Sequence, residues 1–193
     1  MIDLYPNFKH LLKYDNIWLY SDPHFNDPDS EFFRKTYIGD EEQVKSINSK
    51  VGKNDVIIFL GDIGDISFIS KIRGYKILVM GNHDSGKSNY ERVLGEKDNK
   101  LFDEVYSGPV ILNDKVILSH EPINIPFMFN IHGHDHSNCE GFKDDLHLNV
   151  CAELINYIPI SFKTLIKKGK FSKVPNIHRI AIDKQIQRKN SEK

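Results

Sequence analysis

The sequence predicts an α/β fold built around a parallel β-sheet, and three observations indicate it. The apolar runs in "NIWLYSDPHF", "DVIIFLGDIGD" and "YKILVMGNHD" suit buried strands, and a polar loop with glycine or proline follows each directly. Segments with helical apolar spacing separate the runs, as in βαβ units that share one sheet. The chain has 193 residues, 39% of them hydrophobic and 27% charged, which suits a single domain with one core.

Two helices are predicted between these three strands. In "GDEEQVKSINSKVG", Asp40 and Gln43 resemble a capping box, and one face carries Val44, Ile47 and Val51. In "ISFISKIRG", Ile66, Ile69 and Ile72 are spaced as they would be on one face of a helix, and Gly74 occupies the expected C-cap position.

The second half of the sequence predicts four further strands and a helix. Two short strands flank Asn113 and Asp114 in "EVYSGPVILNDKVILSHEP", which suits a tight hairpin turn. "FMFNIHGHDH" and "DLHLNVCAEL" predict two more strands, and "PISFKTLIKKG" predicts a helix capped by Ser161. We expect one domain over residues 1–193, with residues 185–193 as a flexible tail.

Composition and charge exclude several classes of function. Lysine and arginine total 26 against 27 aspartates and glutamates, so the net charge of −1 provides no strong field for nucleic acid or a membrane surface. Stable nucleic-acid binding is therefore not expected. Two cysteines provide neither a disulfide framework nor a paired-cysteine zinc motif. Because no apolar stretch suits a signal peptide or a membrane span, we predict a cytoplasmic protein with no membrane partner.

Five predicted strands end in side chains that can bind metal ions. The loops after the first three strands contain Asp22, His24, Asp62, Asp65, Asn82, His83 and Asp84. Later strands add His120, His134 and His136. Because ligands bind at the carboxyl ends of parallel strands, we expect these loops to assemble one site. Taken alone, the cluster "HGHDH" also allows a proton-relay site or a histidine-rich surface loop.

These five blocks resemble the signature of the calcineurin-like metallophosphoesterase superfamily, which runs Asp-x-His, Gly-Asp-x-x-Asp, Gly-Asn-His-Asp/Glu, a lone histidine and Gly-His-x-His. The sequence has, in the same order, "DPH" at 22–24, "GDIGD" at 61–65, "GNHD" at 81–84, "SH" at 119–120 and "GHDH" at 133–136. The start and end of this region are similar to those of small bacterial and phage phosphoesterases. The resemblance implies a four-layer αββα sandwich of two mixed β-sheets flanked by helices.

The resemblance also implies a site for two divalent metal ions. The first ion would be held by Asp22, His24, Asp62 and His136. The second would be held by Asp62, Asn82, His120 and His134, so that Asp62 bridges both. Oxygen and imidazole donors without thiolates suit manganese, the ion expected in vitro, and also iron, zinc, nickel and cobalt. Two such ions, about 3.5–4 Å apart, can share and activate a hydroxide.

The remaining histidine of the third block has a different implied role. His83 would protonate the leaving oxygen, and Asp84 would orient the His83 ring and raise its pKa. Asp65 either holds a ligand histidine or caps the helix that follows it. His132 either supports a ligand or lies on the surface. The role of Glu153 stays open.

The predicted function is hydrolysis of a phosphodiester, nucleotide-like or another small ester, by attack of the metal-bridging hydroxide. The interval from His120 to His134 is too short for a separate cap, so the site should be open. Aromatic residues beside it either stack on a base or pack in the core: Phe25, Phe127 and Phe129. Two alternatives stay open, a phosphomonoesterase that uses Arg34 or Arg73 on the phosphate dianion and a non-catalytic interaction scaffold. The sequence specifies neither the native metal nor the oligomeric state.

Overall fold

Nine strands and four α-helices form within the residues that the computed structural model describes, 3–84, 101–137, 144–175 and 177–191. The strands are β1 Ile17–Tyr20, β2 Val56–Phe59, β3 Tyr75–Val79, β4 Glu104–Tyr106, β5 Val110–Ile111, β6 Val116–Leu118, β7 Phe129–His132, β8 His147–Asn149 and β9 Ile160–Ser161. The α-helices are α1 Ser30–Phe33, α2 Asp40–Lys50, α3 Phe162–Lys167 and α4 Ile177–Ser191. Short 3-10 helices cover Pro6–Lys13, Ile66–Lys71 and Ala152–Ile155.

The strands form two mixed sheets. The first has the order β4-β3-β2-β1-β9, with β1 to β4 parallel and β9 antiparallel to β1. The second has the order β5-β6-β7-β8, with β5 antiparallel to β6 and the other pairs parallel. The predicted parallel sheet is confirmed, and so is the hairpin between β5 and β6. Its turn is held by Asn113, whose Oδ1 accepts hydrogen bonds from the backbone N–H groups of Lys115 and Val116.

Alternating side chains place the first sheet between the second sheet and a helical layer. One face shares a core with the second sheet, formed by residues that include Leu19, Ile58, Val79, Leu118 and Ile131. The opposite face packs against α2 and the 3-10 helix Ile66–Lys71, through residues that include Ile57, Phe59, Leu78, Ile47 and Ile69. Burial of both faces explains why these strands are continuous apolar runs. Two mixed sheets flanked by helices confirm the sandwich architecture.

The predicted capping box at the start of α2 is wrong, and its two residues have other partners. Asp40 is already helical, and its carboxylate accepts the backbone N–H of Asn26 at 2.8 Å. Gln43 is buried, where it accepts a hydrogen bond from the Tyr20 hydroxyl at 2.7 Å and donates to the Pro23 carbonyl at 3.1 Å. Gln43 therefore connects α2 to the loop that follows β1.

Two other predictions about helices meet different outcomes. The Ser161 cap of α3 is confirmed, because its hydroxyl oxygen accepts the backbone N–H of Thr164 at 3.2 Å. Residues 185–191, predicted as a tail, belong to helix α4, and their side chains are exposed. The flexibility of 185–193 stays a prediction. Within the described parts of the chain, no helix combines the length and apolar character needed to cross a membrane.

Candidate dinuclear metal centre

Loops from both sheets bring the predicted site residues together at the carboxyl ends of the strands. Asp22 follows β1, Asp62 follows β2, and His120 follows β6. The backbone N–H of Asp22 donates to the Gly61 carbonyl at 3.0 Å, and that of Gly133 donates to the His120 carbonyl at 2.9 Å. These bonds join each loop to its neighbour, so the side chains converge as the sequence predicts.

The first donor group consists of Asp22, His24 and His136. Asp22 Oδ1 lies 3.9 Å from His24 Nε2 and 3.5 Å from His136 Nε2. Among the described residues, Asp22 Oδ1 and His24 Nε2 are buried without a hydrogen-bond partner. Because an unpaired buried polar atom is costly, two of them facing each other fit a cation bound between them.

The second donor group consists of Asp62, His120 and His134, with Asn82 beside them. His120 Nε2 lies 3.3 Å from Asp62 Oδ2 and 2.9 Å from Asn82 Oδ1. His134 Nδ1 lies 3.1 Å from both Asn82 Oδ1 and His120 Nε2. One carboxylate, one amide oxygen and two imidazoles therefore converge, which is a donor set suited to a divalent transition metal.

Asp62 lies between the two groups. Its Oδ2 is 3.6 Å from His24 Nε2 of the first group and 3.3 Å from His120 Nε2 of the second. Its Oδ1 accepts the backbone N–H of His83 at 3.0 Å. One carboxylate oxygen thus faces imidazoles of both groups, the geometry that a bridging ligand requires.

The electrostatics of the site favour an ionised Asp62. Burial raises the pKa of this carboxyl, but hydrogen bonding and charge from His120, with the N–H of His83, lower it below its ordinary value. Burial lowers the pKa of His120, but the hydrogen bond with Asp62 and the charge of Asp22 outweigh burial and raise it to about 9. Burial lowers the pKa of His24. The negative carboxylate of Asp62, beside the His24 imidazole whose charged form is disfavoured by burial, is suited to binding a cation.

Gly133 is required because two loops approach each other closely at this position. The left-handed conformation in this loop belongs to His134, at a φ of 66°. A Cβ at position 133 would lie 1.9 Å from Ser21 Oγ and 2.2 Å from Asp22 Oδ2. Only glycine therefore lets the loop after β7 approach β1 closely enough to bring His134 and Asp22 into one site.

His83 and Asp84, the two predicted catalytic residues, have different surroundings. The His83 side chain is 67% exposed, and its Nε2 lies 3.9 Å from Asp62 Oδ2. Asp84 is buried, which raises its pKa, and its carboxylate accepts three backbone N–H groups, those of Asp62, Ile63 and Gly81, at 2.8, 3.1 and 2.9 Å. These bonds join the loops after β2 and β3, a role that the sequence did not indicate for Asp84.

Glu153 and Arg34 support the first donor group. The Glu153 carboxylate hydrogen-bonds His136 Nδ1, which raises the pKa of His136 and directs its Nε2 towards Asp22. The Arg34 guanidinium lies 3.8 Å from Glu153 and donates to the backbone carbonyls of Asp22 at 2.7 Å and Pro23 at 3.4 Å. Glu153 follows a strand as the other site residues do, a signal that could have assigned it. Arg34 lies outside every motif and had no such signal.

The structure defines the surroundings of Cys151 and of three residues that the sequence left open, Asp65, His132 and Phe25. Asp65 caps the 3-10 helix that follows it, accepting the Ser67 N–H at 3.0 Å. His132 is buried in β7, so the surface interpretation is wrong. Cys151 is buried, and its thiol donates to Asp22 Oδ2 at 3.2 Å. Phe25 is 1% exposed and stacks on Phe68, so it packs in the core.

Comparisons with known proteins identify the family of this chain and its similar relatives. The model of the calcineurin-like phosphoesterase family matches residues 16–192. The uncharacterized protein MJ1445 of Methanocaldococcus jannaschii is 27% identical over 186 residues, which cover 83% of this chain and 96% of that protein. The crystal structure of AQ665, a protein of unknown function from Aquifex aeolicus, gives a TM-score of 0.60 at 22% identity, covering 79% of this chain and 98% of that one. The likeness to AQ665 concerns the fold.

Proposed function

Because the chain belongs to the calcineurin-like phosphoesterase family, we propose that it hydrolyses a phosphodiester with the help of two divalent metal ions. The observation that carries this proposal is the meeting of two donor groups at Asp62 Oδ2. The substrate would be a nucleotide-like or another small ester, and the cytoplasm is the expected compartment.

We assign the two ions to the two donor groups. Asp22, His24 and His136 would hold one ion, and Asn82, His120 and His134 would hold the other, with Asp62 shared. Oxygen and nitrogen donors suit manganese, the ion expected in vitro, and also iron, zinc, nickel and cobalt. When bound, such ions supply a water nucleophile at neutral pH and neutralise the charge of the phosphate.

His83 is the proposed proton donor to the leaving group. Its side chain is exposed beside Asp62 Oδ2, so it is accessible to a phosphate ester bound over the donor groups. The backbone N–H of His83 donates a hydrogen bond to Asp62 Oδ1, which fixes the position of the His83 backbone beside the donor groups. Asp84 would act through the loops that it joins, since its carboxylate already accepts three backbone N–H groups.

The preference for a diester is supported by the positions of the two arginines considered for a monoester dianion. Arg34 is buried, and its guanidinium donates to the carbonyls of Asp22 and Pro23. Arg73 precedes β3, whereas the site lies at the carboxyl end of that strand. Neither position suits direct binding to the outer oxygens of a phosphate monoester.

The experiment compares bis-p-nitrophenyl phosphate with p-nitrophenyl phosphate, using metal-stripped protein titrated with manganese. We expect diester hydrolysis that appears only with the metal and exceeds monoester hydrolysis. Higher turnover of the monoester would identify a phosphatase instead. Absence of turnover on both substrates with two ions bound would contradict the proposal and favour a non-catalytic scaffold.

A second experiment tests the role of His83. General acid catalysis contributes about 10²- to 10⁴-fold, and an alkoxide leaving group depends on the proton far more than p-nitrophenolate does. His83→Gln should therefore slow hydrolysis of a dialkyl ester, such as a dinucleotide, much more than hydrolysis of bis-p-nitrophenyl phosphate. His10→Gln is the control, because His10 pairs with Glu104 outside the donor groups. Equal losses on both substrates would argue against proton donation by His83.

A further inference from the structure

Two pockets open beside the first donor group, and they share part of one wall. The larger has a volume of about 740 Å³ and is lined by His24, Asp27, Asp29, Ser30, Arg34, Lys35, Thr36, His136, Ser137, Glu153 and Leu154. The smaller, of about 350 Å³, is lined by His24, Phe25, Asn26, Asp27, Gly64, Asp65 and His83. His24 and Asp27 belong to both, with His24 Nδ1 3.3 Å from Asp27 Oδ2.

We propose that the larger pocket binds the ester group that remains on the phosphate, and that this group is a nucleoside. This inference rests on the proposed function. His83 lines only the smaller of these two pockets. A proton donor must reach the leaving oxygen, so the leaving group belongs on the His83 side. The second ester group of a diester then extends past His24 towards His136, into the larger pocket.

The size of the larger pocket indicates what it accommodates. Pockets for drug-sized ligands have volumes of about 300–1,000 Å³, and about 740 Å³ lies well inside that range. A methyl group would leave most of this space filled by water. A nucleoside would occupy this space, and it would bury enough of its own surface in the pocket to contribute to binding.

The chemistry of the wall favours a nucleoside over an acyl chain. Leu154 and the stem of the exposed Lys35 provide carbon surface that a flat base can cover. Thr36 and Ser137 provide hydroxyl groups suited to the hydroxyls of a sugar. An acyl chain would displace water from this polar wall without replacing the hydrogen bonds of that water, which is unfavourable.

The first test varies the ester group that remains on the phosphate and keeps p-nitrophenolate as the leaving group. Three substrates are compared with manganese-loaded protein, the p-nitrophenyl esters of thymidine 5′-monophosphate, methyl phosphate and phosphorylcholine. We expect kcat/KM for the thymidine ester to exceed the other two by at least about tenfold, the effect of 1.4 kcal/mol of binding. Equal rates, or a preference for the methyl or choline ester, would overturn the inference. Absence of turnover of all three would contradict the proposed function itself.

The second test fills the pocket. Leu154→Trp places a large ring in the wall, and Ile158→Trp is the matched control. The two residues are similarly exposed, at 36% and 43%, and Ile158 is not among those lining the pocket. Leu154→Trp should lower the ratio of kcat/KM between the thymidine and methyl esters at least about tenfold, while Ile158→Trp keeps it.

A binding measurement distinguishes the contribution of the pocket to affinity from its contribution to the rate of hydrolysis. Calorimetric titration with thymidine 5′-monophosphate, compared with methyl phosphate, reports the contribution of the nucleoside without turnover. We expect the nucleotide to bind more tightly, and Leu154→Trp to remove that difference. A difference that survives in Leu154→Trp would show that the nucleoside binds elsewhere.

Discussion

Four of the seven proposed metal ligands hold a left-handed backbone conformation. Their φ angles are 54° at Asp22, 45° at His24, 53° at Asp62 and 66° at His134. Such conformations cost about 1–3 kcal/mol each for non-glycine residues and persist where the surrounding structure imposes them. Here each directs a donor towards the centre. The identity of these residues was predictable from the motifs, but their φ angles were not, because Asp and His do not by themselves specify a left-handed conformation.

Asp62 is the residue whose replacement should affect both metal sites. Asp62→Asn removes the charge of the shared ligand, so we expect both ions to be lost together and activity to fall on the order of 100-fold or more. Metal content by mass spectrometry, with kcat, measures both effects. Asp145→Asn is the control, because Asp145 forms an exposed pair with Lys173. An Asp62→Asn protein with two ions per chain and full activity would contradict the bridging role.

At the scale of elements, the loops are fixed to each other by side chains that do not belong to the donor groups. Asp84 joins the loops after β2 and β3. Gln43 ties helix α2 to the loop after β1, which Arg34 also anchors through the Pro23 carbonyl. Glu153, from the 3-10 helix Ala152–Ile155, fixes His136. The donors are therefore positioned by neighbouring elements as well as by their own strands.

Replacing Asp84 tests whether this residue anchors the loops after β2 and β3 or instead orients His83 for catalysis. Asp84→Asn weakens three buried hydrogen bonds to backbone N–H groups, so we expect a loss of about 1–3 kcal/mol in the free energy of unfolding. Activity should then fall by a similar factor on alkyl and aryl diesters, because the whole site is displaced. Chemical denaturation and paired kinetic measurements check both. A selective loss on alkyl diesters with unchanged stability would instead support the sequence prediction that Asp84 orients His83.

Glu153 should control the affinity of the first ion. Replacing a carboxylate that orients a metal-binding histidine costs roughly 10- to 100-fold in metal affinity. Glu153→Gln should therefore weaken one of the two ions and leave the other close to its original affinity, as measured by calorimetric manganese titration. Glu42→Gln, in an exposed pair with Lys45, is the matched control. If both ions weaken equally, Glu153 acts on the fold rather than on His136.

The sequence predicted the three central strands of the first sheet, β1 to β3, and the candidate donor residues, but neither edge strand, β4 or β9. The reasons for these limits are physical. Continuous apolar runs indicate buried parallel strands, and polar residues directly after them indicate a shared edge. The second sheet and its packing on the first came from the family resemblance, since β5, β6 and β8 have only two or three residues each. Arg34 and Gln43 act through tertiary contacts with Asp22 and Pro23, and no local pattern encodes such contacts.

At the scale of the molecule, the centre connects the two sheets. Asp22 and Asp62 extend from the first sheet, and His120, His134 and His136 extend from the second. Bound ions would hold the sheets together and provide partners for the buried atoms Asp22 Oδ1 and His24 Nε2. Because the donors are far apart in the sequence, they come together only when both sheets have folded.

Metal removal should therefore lower the stability of the whole molecule. An ion that binds the native state at a concentration 100 times its Kd stabilises it by about 2.7 kcal/mol. For a chain of this size, chelation should lower Tm by roughly 5–10 °C, and manganese should restore it. Differential scanning calorimetry in magnesium-free buffer measures this change in Tm. Asp62→Asn is the control, and its Tm should change little when chelator is added. A Tm that is the same with and without chelator would argue against ions bridging the sheets.

Electron paramagnetic resonance of the metal-stripped protein during manganese titration shows directly whether Asp62 joins two ions. We expect two ions per chain and, as the second site fills, the spectrum of a spin-coupled manganese pair, because a shared Asp62 would couple the ions. Binding that ends at one ion per chain, or two ions that keep the six-line spectrum of isolated manganese, would contradict this expectation.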